Sequence, residues 1–183
     1  MCGIFCFVSK EEISDDVVNS SLDILKNRGP DARAARRYKL GDFNVVLGHT
    51  RLSILDLSEN ANQPFSDGHL HIIFNGEIYN HLDLRKKFLK NEEFRTTSDT
   101  ETLIKLFKKY DYSKFMKDIR GMFSFVLLDE KTGDVQTFRD RAGEKPLYCS
   151  SSNSFLSFSS DLRVSRLLKD FDSTISHNSL GMY

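Results

Sequence analysis

The chain is expected to fold as an α+β domain with mostly antiparallel strands. Strand-like segments fall in adjacent groups, and amphipathic helical segments separate the groups instead of alternating with single strands. The 183 residues fit one domain and can bury a real core, and 39% hydrophobic with 28% charged is the balance of a globular protein. No repeat, low-complexity tract or linker divides the chain.

In chain order, Cys2–Val8 is apolar and bounded by Lys10-Glu11-Glu12, so it reads as a buried strand. Asp15–Lys26 spaces Val17, Val18, Leu22 and Leu25 as one helix face. Asn27-Arg28-Gly29-Pro30-Asp31 is a turn. Val45–Leu57 reads as one long extended segment, and His69–Tyr79 as a strand running into an Asn75-Gly76-Glu77 turn. Leu82–Leu89 looks helical. Ser98–Tyr110 is the clearest helix, with Leu103, Ile104, Leu106, Phe107 and Tyr110 on one side and Ser98-x-x-Glu101 as a capping box. Met122–Leu128 and Val135–Arg139 pair around Lys131-Thr132-Gly133-Asp134. Pro146–Cys149 and Phe155–Ser159 form a second hairpin, and Leu162–Leu168 a short helix. Ile175–Tyr183 reads as a cut end rather than a finished one.

Several function classes are disfavoured. Lys+Arg and Asp+Glu are each 26, without the basic excess of a nucleic-acid binder. No apolar run spans a bilayer, and Ile4–Val8 is too short for a signal peptide. No nucleic-acid or membrane partner is therefore expected. Cys2, Cys6 and Cys149 form no CxxC pair, and an odd count points to reduced thiols and a cytoplasmic location. GxGxxG, GxxxxGK[ST] and HExxH are absent, so no cofactor or metal is expected in this domain. His69 and His71 share a parity and could hold a metal, but an exposed strand face is the simpler reading.

The candidate chemistry starts at Cys2. Once Met1 is removed, one residue carries both a thiol and an α-amine, whose reference pKa of about 7.7–8.0 lets it act as a base near neutrality. Alone, Cys2 is more simply read as a small residue opening a buried strand. Thiolate attack on an amide creates an oxyanion that needs fixed donors. Asn75 and the Gly76 N–H could supply two, although Asn-Gly is also an ordinary turn. Arg51 lies in an apolar segment, where a charge needs a partner such as a carboxylate. Asp99 falls in the first turn of the capped helix, where the macrodipole favours an ionised carboxylate able to hold an ammonium.

Eight motifs then occur in order. They are Met1-Cys2-Gly3-Ile4, Arg28-Gly29-Pro30-Asp31, Gly48-His49-Thr50-Arg51-Leu52-Ser53-Ile54, Gln63-Pro64-Phe65, Phe74-Asn75-Gly76-Glu77-Ile78-Tyr79-Asn80, Ser98-Asp99-Thr100-Glu101, Gly121-Met122-Phe123, and Arg139-Asp140-Arg141-x-Gly143-x-Lys145-Pro146-Leu147-Tyr148. Over nearly its whole length the chain resembles the glutaminase domain of class II glutamine amidotransferases, and specifically the glutamine-hydrolysing asparagine synthetase type. Leu52 and Ser53 after the arginine favour that branch over the sugar-phosphate and phosphoribosyl enzymes, which carry an aromatic there.

The resemblance implies an Ntn-hydrolase αββα sandwich with two stacked antiparallel sheets over residues 2–183, and hydrolysis of L-glutamine to glutamate and ammonia. By motif, Cys2 is the nucleophile, and Asn75 and Gly76 are the oxyanion hole. Arg51, Leu52, Ser53, Ile54, Leu55, Asn75, Gly76, Glu77 and Asp99 line the glutamine site. Ammonia then passes to a C-terminal synthetase domain or a separate synthetase subunit, where ATP and Mg are expected. No SGGxDS-like motif occurs in these residues. The acceptor is aspartate, or alternatively a sugar carboxylate, and a non-catalytic interaction module is the reading from another class. An oligomer is left open. Two departures stand out: Cys6 replaces a usually small residue, with crowding of the base of the site or oxidation left open as its effect, and Asn27 replaces a frequent His.

Overall fold

The computed structural model describes residues 1–181, so the C-terminal reading falls partly outside it, at Met182 and Tyr183. Among the described residues, nine strands form two antiparallel sheets. The first sheet has the order β2-β3-β1-β9-β8, from β1 (Gly3–Ser9), β2 (Ala32–Leu40), β3 (Phe43–Arg51), β8 (Tyr148–Ser151) and β9 (Phe155–Ser159). The second has the order β4-β5-β6-β7, from β4 (Phe65–Asp67), β5 (Leu70–Ile78), β6 (Gly121–Asp129) and β7 (Asp134–Arg139).

Strand parity sorts the core into layers. Phe5 and Phe7 leave β1 on one face and pack with Val18, Leu22 and Leu25 of α1 (Asp15–Leu25). Ile4 and Cys6 leave it on the other face and meet Val45, Leu47, Ile73, Val126 and Leu128 between the sheets. The far face of the second sheet packs Ile72, Phe74 and Phe125 against Leu84 of α2 (His81–Phe88) and Leu103, Ile104 and Leu106 of α3 (Asp99–Lys109). The result is helix, sheet, sheet, helix, as the resemblance implied. Among the described residues, no helix is long and apolar enough to cross a membrane.

The differences from the sequence reading have physical causes. β2 had no counterpart there: it is an edge strand carrying Arg33, Arg36, Arg37 and Lys39, and charge at an edge hides the strand pattern while blocking further pairing. The extended segment expected to reach Leu57 ends at Arg51. Asn75 and Gly76 are not in a turn; they pair with Ser124 and Phe123 in the middle of the β5–β6 ladder. A Cβ at Gly76 would lie 2.2 Å from the Met122 carbonyl oxygen, so glycine is needed there for close strand approach. The short helix closes at Ser165. His71 is buried rather than exposed: Ser66 and Glu130 bond its two ring nitrogens at 2.7 and 2.8 Å, while His69 precedes β5. Cys6 is fully buried between the sheets and does not floor the pocket described below. The capping box is half formed. Ser98 Oγ accepts from Glu101 N–H, but the Glu101 carboxylate reaches the N–H groups of Arg95 and Thr96 instead of Ser98.

Candidate active site

A recess of about 620 Å³, counted with its open mouth, lies at one end of the inter-sheet layer. Four parts of the chain converge on it: Cys2 just before β1, Arg51 at the end of β3 with the loop that follows, the middle of β5, and the first turn of α3. Cys2, Arg51, Leu52, Ile54, Leu55, Asn75, Gly76, Glu77 and Asp99 all line it. Ser53 does not; its N–H donates to the Asp31 carboxylate at 2.7 Å. Met1, Ala61, Gln63, Phe74, Ser98, Thr100, Met122 and Lys145 line it as well. Several of these stand in the quoted motifs, but nothing in their spacing gave them a place in the site.

Cys2 is held from several sides. Gly3 wedges between β3 and α1, where a Cβ would fall 2.5 Å from Thr50 Oγ1 and 2.8 Å from Leu25 Cβ. Arg28 Nε donates to the Cys2 carbonyl at 3.1 Å. The thiol itself sits against the Leu52 backbone, accepting from its N–H at 3.5 Å and facing its carbonyl at 3.8 Å. Burial pushes the thiol pKa up, and the Leu52 N–H offsets this only in part. The resting sulfur is therefore a neutral thiol that needs a base before it can attack.

Asn75 is fully buried, lines the recess, and has no partner among the described residues for either end of its side-chain amide. Such a group costs about 1–3 kcal/mol while unpaired. In an antiparallel strand, backbone N–H groups alternate between the two edges. Tyr79 N–H points toward β6, donating to the Arg120 carbonyl at 2.8 Å. Phe74 and Ile78 donate the opposite way, to Gln63 Oε1 at 2.6 Å and Asp99 Oδ2 at 2.8 Å. Gly76 lies between them and shares their parity, so its N–H also faces away from β6, on the side of the recess.

Arg51 is buried and committed to the loop beyond it. Its Nη1 donates to the Ser58 carbonyl and to Asn62 Oδ1, each at 2.8 Å, and its Nη2 donates to the Asp56 carbonyl. No carboxylate of the described residues is paired with it. Asp56 adds a second clasp, accepting from Thr97 N–H at 2.8 Å, with φ of 55° in the left-handed region that Asp tolerates. Residues 52–58 are thereby drawn over the recess.

Asp99 is 5% exposed. Burial raises its carboxyl to about 6, although Ile78 and Thr100 N–H groups pull it down; nearby Glu77 adds to the rise. Desolvation thus outweighs the helix-terminus effect expected from sequence. His49, on β3, is buried and neutral, its pKa lowered to about 3 by burial, and its ring faces the Phe74 carbonyl.

A family model described as a glutamine amidotransferase domain matches residues 1–183. The chain is 35% identical over 183 residues to a probable glutamine-hydrolysing asparagine synthetase of Acanthamoeba polyphaga mimivirus, covering 97% of this chain and 33% of that protein. It is 36% identical over 190 residues to a putative glutamine-hydrolysing asparagine synthetase of Methanocaldococcus jannaschii, covering 94% and 36%. It thus spans about a third of the length of these curated relatives. Among solved structures, the glutamine phosphoribosylpyrophosphate amidotransferase of B. subtilis superposes with a TM-score of 0.74 at 19% identity, over 91% of this chain and 43% of that one. At that identity the likeness speaks for the fold, which is the Ntn type. Matched from end to end by the family model, the chain belongs to the glutamine amidotransferase domain family.

Proposed function

We propose that this domain hydrolyses L-glutamine to L-glutamate and ammonia with Cys2 as nucleophile, and that an ATP-dependent synthetase domain or subunit uses the ammonia to make asparagine from aspartate. The observation that carries the first half is the buried, unpartnered Asn75 amide beside the outward Gly76 N–H, in one recess with the Cys2 thiol. The length and names of the two curated relatives support the second half. ATP and Mg belong to that second site, and this domain uses no cofactor. The cytoplasm is the compartment we assign.

The chemistry follows from the groups present. Removal of Met1 leaves the α-amine on Cys2. The amine takes the thiol proton as sulfur attacks the glutamine carboxamide carbon. The oxyanion accepts from Asn75 Nδ2 and the Gly76 N–H. Collapse breaks the C–N bond, and the amine returns its proton to the departing ammonia. Water then attacks the thioester, releasing glutamate and restoring the thiol. Arg51 takes the substrate carboxylate, and Asp99, with Glu77 beside it, the substrate ammonium. Leu52, Ile54 and Leu55 wall the aliphatic stem, and Ser53 sets the loop through Asp31.

A glutamine-like electrophile, such as a diazo-ketone analogue, tests this directly. Intact mass should show active protein without Met1, and peptide mapping should place the label on Cys2. Glutamine should protect against labelling, which separates Cys2 from the exposed Cys149. Cys2→Ala should abolish ammonia release. Full activity with Met1 retained, or a glutamine-protectable label on Cys6, would sink the mechanism.

A further inference from the structure

We propose that Gln63 is a positioning residue that, together with the Asp99 carboxylate, keeps the Gly76 N–H turned into the recess. The inference rests on the glutaminase reading above and deepens it. β4 pairs with β5 only from Phe65↔Ile72 to Asp67↔Leu70, so among the described residues no strand lies beside the β5 edge beyond Ile72. Three N–H groups, of Phe74, Gly76 and Ile78, point off that edge by parity. An unpaired edge of this kind is free to twist or to take up another strand.

Side chains occupy the outer two donors. Gln63 Oε1 accepts from Phe74 N–H at 2.6 Å, and Asp99 Oδ2 accepts from Ile78 N–H at 2.8 Å. The other end of the Gln63 amide donates to Thr100 Oγ1 at 3.3 Å. Both clasps therefore lead to the first turn of α3, one through Asp99 directly and one through Thr100. Gln63, Thr100 and Asp99 are 8%, 3% and 5% exposed, so water competes little for these bonds. The edge is fixed on each side of Gly76, and the N–H between the clasps is left for a ligand. A glutamine suits position 63 because it accepts at one end and donates at the other. Its amide thus takes the place of the strand that β4 does not extend.

The role predicts a loss in the transition state and not in ground-state binding. In the intact protein, Gln63→Met keeps the side-chain volume and removes both bonds. It should lower kcat for glutamine hydrolysis at least tenfold and leave KM within about threefold. Gln63→Glu keeps the acceptor for Phe74, and the Thr100 hydroxyl can turn to donate, so it should recover most of kcat. An aldehyde analogue of glutamine, which forms a tetrahedral thiohemiacetal on Cys2, should weaken with Gln63→Met in proportion to kcat. If Gln63→Met does not fold, Thr100→Val cuts the same anchor from its other end and should lower kcat with KM unmoved. Wild-type kcat in the variant that folds would overturn the inference, as would a rise confined to KM, which would make Gln63 a substrate contact. A wild-type protein that releases no glutamate would instead overturn the glutaminase reading itself.

Discussion

Replacing Asp99 with asparagine should make the protein more stable and less active at once. Burial moves the Asp99 carboxyl from 3.8 to about 6. At about 1.36 kcal/mol per unit, ionising it in the folded state costs about 3 kcal/mol more than in the unfolded chain. The sign follows from linkage. The folded pKa lies above the unfolded one, so the penalty is complete above about pH 6, shrinks as pH falls toward 4, and is gone when both states are protonated. Asparagine keeps an oxygen for the Ile78 N–H, which Asp99 Oδ2 accepts at 2.8 Å. Asp99→Asn should therefore gain about 1–3 kcal/mol at pH 8, or about 2–10 °C in Tm for a chain of this size. The gain should fade near pH 4.

On the proposed reading, the same change removes the partner of the substrate ammonium. Losing one side of a desolvated charge pair costs about 2–5 kcal/mol. At about 1.4 kcal/mol per tenfold, kcat/KM should fall about 30-fold or more. In the wild type, kcat/KM should begin to decline below about pH 8 as the Cys2 amine protonates, and fall more steeply below about 6 as Asp99 does, because that profile reports the free enzyme's groups. Thermal melts across pH and glutamate release with saturating and limiting glutamine measure both effects. A stability difference that does not change with pH would refute the ionisation argument. Unchanged kcat/KM in Asp99→Asn would remove the residue from the substrate site.

Asn75→Ala should act on kcat, by about 100- to 1,000-fold, since the proposed role has its donor meet an oxyanion absent from the ground state; a change confined to KM would contradict that role. Arg51→Ala should lower kcat/KM at least tenfold and also loosen residues 52–58, because its guanidinium holds the Asp56 and Ser58 carbonyls and Asn62. Faster hydrogen exchange in that loop is the check, and unchanged exchange would return Arg51 to ligand binding alone. Cys6→Ala should keep kcat/KM and lose on the order of 1 kcal/mol of stability, as its fully buried position between the sheets requires.

The amphipathic elements were legible because their core faces keep a clean period: α1, α3 and β6 lie close to where the residue spacing put them. What escaped was whatever depends on tertiary neighbours. β2 hides behind arginines, since an edge strand is charged for solubility. Asn75-Gly76 has the composition of a turn, yet β6 enforces a straight strand through it. Arg51 was legible as a charge needing a partner, but local sequence could not say that loop carbonyls would use much of it. Gln63 was legible only as part of a motif, because its partners Phe74 and Thr100 come from distant segments.

The inter-sheet core and the recess share strands, which divides the labour between neighbouring residues. Ile4, Cys6, Val45, Leu47, Ile73, Val126 and Leu128 are 0% exposed and fix β1, β3, β5 and β6 against one another. Beyond this layer, toward the start of β1, two polar groups carry an energetic cost. Asn75 has no partner among the described residues, and Asp99 is buried with a raised pKa. Each costs about 1–3 kcal/mol, a sizeable share of a typical total of about 5–15 kcal/mol. Groups kept for the reaction and groups kept for the scaffold should then differ in the sign of their stability change. Neutralising Asp99 relieves a cost, and truncating Asn75 removes two unpaired atoms against the cavity it leaves. Truncating Gln63 or Arg51 strands buried partners that are now satisfied, so those variants should melt lower. If Gln63→Met and Asp99→Asn shift Tm in the same direction at pH 8, this division between reacting and supporting residues is wrong.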